Sequence, residues 1–281
     1  MHILHSRQTG RTGMKGYELA LIKLGGSVVT NKSRLRSFAA KSTERLVTEI
    51  SQYLSNGTNR RAIVVHGGGS FGHIIAKKYS IREGFSSIRQ LNGFAEVRRD
   101  MRDLDARIIG LLHSNALPAV SFTPESLFTI DDGRIAHADA DSMLAAARTG
   151  LLPVTFGDAV MDRRRTFTIL SGDNIMEEFS RIFRPTVAVF CTDVDGVFTS
   201  DPKMPGRSSL IQTISPTSEL TAGSASGDDV TGGMKGKLAV LFEIAKRSGR
   251  TCVINGKKQG RLLAALEGNE EAGTIVTALQ Q

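Results

Sequence analysis

Glycine-rich segments follow two apolar runs in the first quarter of the chain. They are "LIKLGGSVV" at 21–29 and "VVHGGGSFGH" at 64–73. Glycine lets the main chain approach a ligand closely and adopt positive φ, so that consecutive N–H groups can converge on phosphate oxygens. Either run alone is typical of an ordinary turn. Together with "DVTGGMKGK" at 229–237, which opens a predicted helix, they indicate a site for more than one phosphate.

A site that brings two phosphates together must neutralise several negative charges and hold the reacting groups in line. Lysine side chains and exposed main-chain amides meet both needs. Lys23 precedes the first glycine pair, Lys32 follows it, and Lys237 lies near a predicted helix start. A solvated loop position is the alternative for Lys32. Asp173 in "SGDN" opens another predicted helix, where it is equally suited to capping the helix.

Two common nucleotide-binding motifs are not recognised in the sequence. GxxxxGK[ST] does not occur, and "GGGSFG" at 67–72 matches the letters of GxGxxG without the predicted strand-to-helix context of a dinucleotide fold. A nucleotide site in this chain must therefore have another design.

Apolar, β-rich runs alternate with segments of helical period along most of the chain. The predicted strands are 19–24, 62–66, 118–122, 153–156, 186–192, 251–255 and 274–279. The predicted helices are 40–56, 91–116, 139–149, 173–183, 234–248 and 260–267. Segment 157–172 departs from this alternation and predicts a hairpin with a charged tip. The pattern predicts an α/β fold, a three-layer αβα sandwich with a mostly parallel open sheet.

Composition excludes several classes of protein. The chain has 281 residues, 40% of them hydrophobic, and a net charge of +8, so it can build a core and favours anionic partners. The sequence has no apolar run of the about 18 residues that a membrane span needs, and no signal peptide is recognised. Without zinc spacing or basic and aromatic interleaving, nucleic acid is not an expected partner. We expect a cytoplasmic protein that does not bind membranes.

Three smaller features complete this picture. Cys191 and Cys252 lie in apolar runs, which predicts buried thiols in a reducing compartment. Residues 1–16 are polar and basic, and we expect a disordered extension or a segment upstream of a start at Met14. The polar stretch 200–229 is a long loop of the kind that can act as a lid.

Six segments, in this order and spacing, resemble the amino-acid kinase superfamily, which includes acetylglutamate, aspartate and uridylate kinases. They are "LIKLGGSVVTNK", "VVHGGGSFGH", "SGDN", "CTDVDGVFTSDP", "DVTGGMKGK" and "GTIV", and they span nearly all of 19–279. The resemblance implies a homodimer of single kinase domains at 17–281, with acceptor bound by 17–170 and ATP by 171–281. It also implies Mg²⁺ carried by ATP, held by phosphate oxygens and water rather than by a dedicated protein metal site.

The resemblance assigns roles to single residues. Lys23, Lys32 and Lys237 correspond to lysines that contact phosphoryl groups, and Asp173 to the acid that orients Lys23 and Lys237. With His73 these residues form the expected catalytic set. The expected ATP-binding set is Lys23, Leu24, Gly25, Gly26, Ser27, Gly69, Asp193, Gly232 and Lys237. The expected acceptor-binding set is Gly68, Gly72, His73, Phe94, Val97, Ile169 and Gly157, the last through its main-chain N–H.

Within the superfamily, His73 and Lys32 resemble the isopentenyl phosphate kinases, which transfer a phosphoryl group from ATP to isopentenyl phosphate. A dianionic acceptor beside an imidazole favours the charged ring, so His73 is expected to donate to the acceptor phosphate. Phe94 and Val97 share a helix face and, with Ile169, are expected to bind the alkenyl tail. Positions with this spacing are also typical of an ordinary core.

Other functions remain open at this point. A fosfomycin-type kinase or a uridylate kinase on the same fold would use similar residues, although no feature indicates a nucleobase acceptor. A nucleotide-binding sensor without catalytic activity is an alternative from a different class. The combination of Lys23, Lys32, His73, Asp173 and Lys237 favours an enzyme.

Overall fold

A computed structural model describes residues 14, 16–31, 34–200, 202, 208–217 and 233–278. The strands are β1 (Glu18–Leu24), β2 (Arg60–His66), β3 (Ala119–Ser121), β4 (Phe128–Asp131), β5 (Arg134–Ala138), β6 (Leu152–Phe156), β7 (Asp158–Asp162), β8 (Thr166–Leu170), β9 (Val187–Thr192), β10 (Val197–Phe198), β11 (Leu210–Ile211), β12 (Thr213–Ile214), β13 (Arg250–Asn255) and β14 (Gly273–Val276). The helices are α1 (Gly26–Val29), α2 (Ala40–Ser55), α3 (Gly69–Lys78), α4 (Arg89–Ser114), α5 (Pro124–Leu127), α6 (Asp141–Thr149), α7 (Gly172–Phe183), α8 (Gly233–Ala245) and α9 (Arg261–Glu267).

The main sheet has eight strands in the order β12-β14-β13-β9-β1-β2-β6-β3. Neighbouring strands are parallel except for β13 and β14. Strand β1 lies at the centre because its side chains are apolar on both faces, as a strand covered from both sides requires. The predicted mostly parallel sheet is confirmed.

Helices cover both faces of this sheet. Ala20 and Ile22 of β1 lie in one core cluster, which includes side chains of α2, α3, α4 and α9. Leu19 and Leu21 lie in a second cluster, which includes side chains of α6, α7 and α8. Side chains alternate with a period of 2.0 along the strand and 3.6 along the helices, so both faces of the sheet bury apolar side chains under helices. This arrangement is the expected three-layer sandwich.

A second sheet, in the order β5-β4-β7-β8, was predicted only in part. The expected hairpin is the antiparallel pair β7 and β8. Asp162 ends β7, and its carboxylate accepts hydrogen bonds from the N–H groups of Asp132, Gly133, Arg164 and Arg165. Burial alone would raise the pKa of Asp162, but these four hydrogen bonds lower it overall. One carboxylate thus joins the turn between β4 and β5 to the hairpin tip.

Long-range capping joins α2 to α9. The buried carboxylate of Glu49 accepts from the N–H groups of Gly260 and Leu263, at 2.9 and 3.0 Å. These amides belong to the first turn of α9, where backbone N–H groups have no acceptor inside the helix. The carboxylate of Glu49, on another helix, supplies the missing acceptor.

The first described residue, Met14, belongs to the packed core. Met14 is buried in the second core cluster, so the packed chain includes a residue that the sequence placed in the extension. Residues 1–13 lie outside the described part of the chain, as does most of 200–229.

Cys191 and Cys252 are free and buried, as predicted. Among the described residues, no helix is long and apolar enough to cross a membrane.

Candidate active site

Four parallel strands place the glycine and aspartate loops at one edge of the sheet. Because β1 lies between β2 and β9, the segments after Leu24, His66 and Thr192 emerge side by side. Asn255, at the end of β13, pairs with Thr192 and extends the same edge. Ligands of open α/β sheets bind at the carboxyl ends of the strands, and this edge is therefore the candidate site.

The two glycine loops pack directly against each other. A Cβ on Gly26 would lie 2.4 Å from the nitrogen of Gly69, and one on Gly67 would lie 2.8 Å from the nitrogen of Gly26. The hydroxyl of Thr30 donates to Gly26 and accepts from the N–H of Ser70, which ties the loops together. The glycines thus allow main chain to approach main chain, and not only a ligand.

This packing determines which amides can serve a phosphate. The N–H of Gly25 donates to the carbonyl of Cys191, so this amide is engaged within the sheet and is not available as a donor to a phosphate. Gly26 and Ser27 form the first turn of α1, where N–H groups have no intrahelical acceptor. The side chain of Leu24 is fully buried, so it has no access to a nucleotide. The carbonyl of Leu24 accepts a hydrogen bond from the N–H of Gly67.

Gly69 provides a direct test of the loop packing. Its φ is +47°, and a Cβ there would lie 2.0 Å from Oγ1 of Thr30 and 2.5 Å from the carbonyl oxygen of Gly26. We expect Gly69→Ala to lower the free energy of unfolding by about 2–4 kcal/mol, measured by urea denaturation. Gly110→Ala on α4 is the matched control: its Cβ would meet nothing within 4 Å, so stability should rise slightly. Equal unfolding midpoints for Gly69→Ala and the wild type would contradict this account.

Lys23 and Asp173 form an ion pair across 150 residues of sequence. Nζ of Lys23 lies 2.5 Å from Oδ1 of Asp173, and the two side chains are 15% and 22% exposed. Helix α7 begins beside β1, since a Cβ on Gly172 would lie 3.3 Å from Cε of Lys23. The helix cap is Ser171, which accepts from the N–H of Asn174. Capping is therefore not the role of Asp173, whose carboxylate contacts the lysine.

The two histidines near the second glycine loop have different surroundings. His66 is fully buried, with Nε2 3.2 Å from Oδ1 of Asp105 and its ring stacked on Phe156. His73 lies on α3, about one turn from the helix start, and is exposed. Only His73 is accessible to a ligand.

The expected acceptor pocket has one aromatic wall. Phe94 on α4 stacks on Phe167 of β8 with ring centroids 5.1 Å apart, and Phe85 meets Phe167 edge-on. Phe94 and Ile169 are partly buried, so each offers apolar surface. Val97 is 1% exposed in the core, so it can line a pocket only from behind the side chains that contact a ligand.

Gly68 and Gly72 lie where α3 begins. A Cβ on these glycines would lie 2.9 and 3.1 Å from Sδ of Met101 on α4. Both glycines therefore let α3 pack closely against Met101, whatever their part in binding. Helix α3 itself was missed from the sequence, because its first residues include two glycines, which have low helix propensity.

The expected use of Gly157 is wrong in its detail. The N–H of Gly157 donates to the carbonyl of His66 at 3.1 Å, which continues the pairing of β2 with β6. That amide is therefore engaged and cannot be a dedicated phosphate donor. A Cβ at this position would lie 2.9 Å from the nitrogen of Gly172, so the glycine admits the start of α7.

The nucleotide side of the edge is only partly described. Lys237 on α8 is partly buried, and Asp193 after β9 is half-buried. Asp195 accepts from Nδ2 of Asn255 at 3.1 Å and pairs with Lys258 at 2.8 Å, and the bond from Lys258 lowers the pKa of Asp195. Lys32 and Gly232 lie outside the described residues.

Two charged residues beside this edge were missed from the sequence. Asp158 follows Gly157 directly, is 2% exposed, and pairs with Arg102 of α4 at 2.9 Å. Burial raises the pKa of Asp158 to about 7, although Arg102 opposes that rise. The sequence shows a carboxylate after "PVTFG" at this position. Nothing in the described pattern indicated that its partner is Arg102, 56 residues away.

Cationic side chains and main-chain amides at one edge of a parallel sheet, without a Walker A loop, suit a phosphate-binding enzyme. The chain belongs to the amino acid kinase family, whose model matches residues 18–255. This match confirms the family resemblance and the fold class.

Within that family the chain is similar to isopentenyl phosphate kinases. It is 34% identical to "Isopentenyl phosphate kinase" of Methanothermobacter thermautotrophicus, over 92% of this chain and 99% of that protein. One solved structure, "X-ray structures of isopentenyl phosphate kinase", is 32% identical with a TM-score of 0.80, over 92% of this chain and 100% of the other. The product complex of the Thermoplasma acidophilum isopentenyl phosphate kinase is 29% identical with a TM-score of 0.76, over 92% and 99% of the two chains.

Proposed function

We propose that the protein is a kinase that transfers the γ-phosphoryl group of ATP to isopentenyl phosphate, giving isopentenyl diphosphate and ADP. An oxygen of the acceptor phosphate attacks the γ-phosphorus, and the bond from that phosphorus to the β,γ-bridging oxygen breaks. The observation that carries the proposal is the Lys23–Asp173 pair at the glycine-lined edge of the sheet. Similarity to isopentenyl phosphate kinases over nearly the whole chain supports the choice of acceptor.

Lys23 is proposed to stabilise the transferring group. Its ammonium is held by Asp173 at the end of the central strand, beside the loop that begins at Gly25. A fixed cation costs little reorganisation when negative charge moves from one phosphate to the other. Asp173 orients the ammonium and takes no proton from the acceptor, because a phosphate oxygen is already a nucleophile at neutral pH.

The other predicted catalytic groups add positive charge and hydrogen-bond donors against the negative charge of the phosphates. Lys237 contacts the nucleotide phosphates from α8, and Lys32, which follows α1 in the sequence, contacts the phosphoryl group in transfer. The amides of Gly26 and Ser27 supply main-chain donors. In this proposal residues 17–170 bind the acceptor and 171–281 bind ATP, with Asp193 near the nucleotide.

His73 identifies the acceptor as a phosphate. Its exposed ring on α3 is proposed to donate to the acceptor, and family members that phosphorylate carboxylates have no need of such a donor. The surface of Phe94 and Ile169 is proposed to bind the alkenyl tail. Full burial of a five-carbon tail contributes about 4 kcal/mol, enough to select a short alkenyl phosphate.

Magnesium is proposed to enter with ATP. Its preferred ligands are carboxylate, phosphate and water oxygens. Two carboxylates near the edge are already engaged, Asp173 by Lys23 and Asp195 by Lys258 and Asn255. Phosphate oxygens and water are therefore the better ligands. A cytoplasmic homodimer likewise stays a proposal from the family resemblance.

Acceptor profiling tests the proposed function. Purified protein with ATP and Mg²⁺ is assayed for acceptor-dependent ADP release with isopentenyl phosphate, dimethylallyl phosphate, UMP and fosfomycin. We expect the highest kcat/KM with isopentenyl phosphate, because the histidine and the apolar wall match its two ends. A preference for UMP or fosfomycin would assign another acceptor. ADP release from none of them would support a non-catalytic sensor.

A further inference from the structure

Asp158 is a buried carboxylate that the proposed reaction does not use. Its side chain is fully buried, with Oδ2 2.9 Å from Nη1 of Arg102 and Oδ1 2.8 Å from the N–H of Ala159. Arg102 also donates to the carbonyl of Arg98 on its own helix. An unpaired buried carboxylate costs several kcal/mol, so the pair holds α4 firmly to the start of β7.

This pair joins the two sides of the proposed acceptor pocket. Helix α4 carries Phe94 about two turns before Arg102. Strand β7 pairs with β8 so that Asp158 lies opposite Leu170 and Ala159 opposite Ile169. The chain then passes from Leu170 directly into the cap and first turn of α7, which carries Asp173. The spacing between α4 and this hairpin therefore depends on the Arg102–Asp158 contact.

Two other ion pairs of α4 are more exposed than this one. Arg98 binds Glu125 on α5, and both side chains keep about a quarter of their surface exposed. Arg107 and Asp103 are half-exposed on the same helix. Exposed pairs contribute at most about 1 kcal/mol and can rearrange. Asp158 has no such freedom, because its side chain is fully enclosed.

We infer that Arg102 and Asp158 are positioning residues that set the spacing of the acceptor pocket and so the affinity for the alkenyl phosphate, without touching it. The inference rests on the proposed function. It predicts that loss of the pair raises the KM for the acceptor while the nucleotide side, built on β9, β13 and α8, is unaffected.

The charge of Asp158 adds a pH dependence. Burial raises the pKa of Asp158 to about 7. The charged groups that face it are Arg102 and Arg98 from α4, with Glu125 of α5 neutralising Arg98. Above that pKa the carboxylate is ionised and forms an ion pair. Below it the protonated acid keeps the hydrogen bond from Arg102 but loses the attraction between opposite charges, so the pocket should loosen as the pH falls.

Asp158→Asn tests the inference, since it keeps the shape and removes the charge. At pH 8 we expect the KM for isopentenyl phosphate to rise about tenfold, with kcat and the KM for ATP within about twofold of wild type. The ratio of acceptor KM values, variant over wild type, should fall toward one at pH 6, because wild-type Asp158 is then neutral. Titration of the substrate phosphate cancels in this ratio. Arg102→Met should raise the acceptor KM similarly, and the double variant should add little.

Asp162→Asn is the matched control, because it weakens the far end of the same hairpin without contacting α4. It should leave the acceptor KM near wild type. An unchanged acceptor KM in Asp158→Asn, or an equal rise in Asp162→Asn, would overturn the inference. Wild-type protein without acceptor-dependent turnover would instead overturn the proposed function, so the two failures are distinguishable.

Discussion

Lys23→Met is expected to lower kcat for isopentenyl phosphate by about 10²- to 10³-fold. The substitution keeps the length of the side chain and removes the ammonium that lies 2.5 Å from Asp173. A donor aimed at developing negative charge in a site of low exposure is worth about 3–4 kcal/mol in the transition state. The measurement is steady-state ADP release with both substrates saturating. Lys23→Arg keeps the charge but not its position, and should stay well below wild type.

The control for this prediction is Lys246→Met. Lys246 also forms a short ion pair, with Glu243 at 2.6 Å, but both side chains are exposed at the end of α8. Its loss should change kcat by less than about twofold, since exposed pairs are weak. A Lys23→Met enzyme within about fivefold of wild type would show that the ammonium does not act on the transferring group.

The sequence alone predicted most of the central sheet, because its strands are continuous apolar runs. β1 and β9 are examples: each is buried almost throughout and has no competing period. The hairpin of β4 and β5 was missed, although "DDG" at its turn is a hairpin signal. There Asp132 and Gly133 both have positive φ. Strand β5 is mostly exposed and so lacks the apolar pattern that marks a strand.

The candidate site was predictable only through resemblance, since its contacts join distant segments. Lys23 and Asp173 are 150 residues apart, and no local pattern relates them. The glycines were recognised as unusual, but their packing on each other depends on how β1, β2 and β9 adjoin. Gly157 shows the limit of residue-by-residue transfer, because whether an N–H is engaged depends on strand pairing.

His73→Ala is expected to lower kcat/KM for isopentenyl phosphate by about 10²- to 10³-fold while the KM for ATP stays within about twofold. The ring is proposed to donate to the acceptor phosphate. That phosphate keeps most of its negative charge until phosphoryl transfer is nearly complete. Loss of that donor therefore weakens both acceptor binding and alignment. The two constants are obtained by varying each substrate at saturating levels of the other. Equal losses for ATP and acceptor would place the residue away from the acceptor.

Two further variants separate hydrogen bonding from other effects of the change at His73. His73→Gln keeps a neutral donor and should recover part of the loss, because donation rather than proton transfer is the proposed role. His137→Ala removes an exposed histidine on β5, and it should behave as wild type. Since His66 is buried against Asp105, it cannot substitute for the missing ring. Wild-type turnover in His73→Ala would therefore mean that main-chain amides and lysines alone hold the acceptor phosphate.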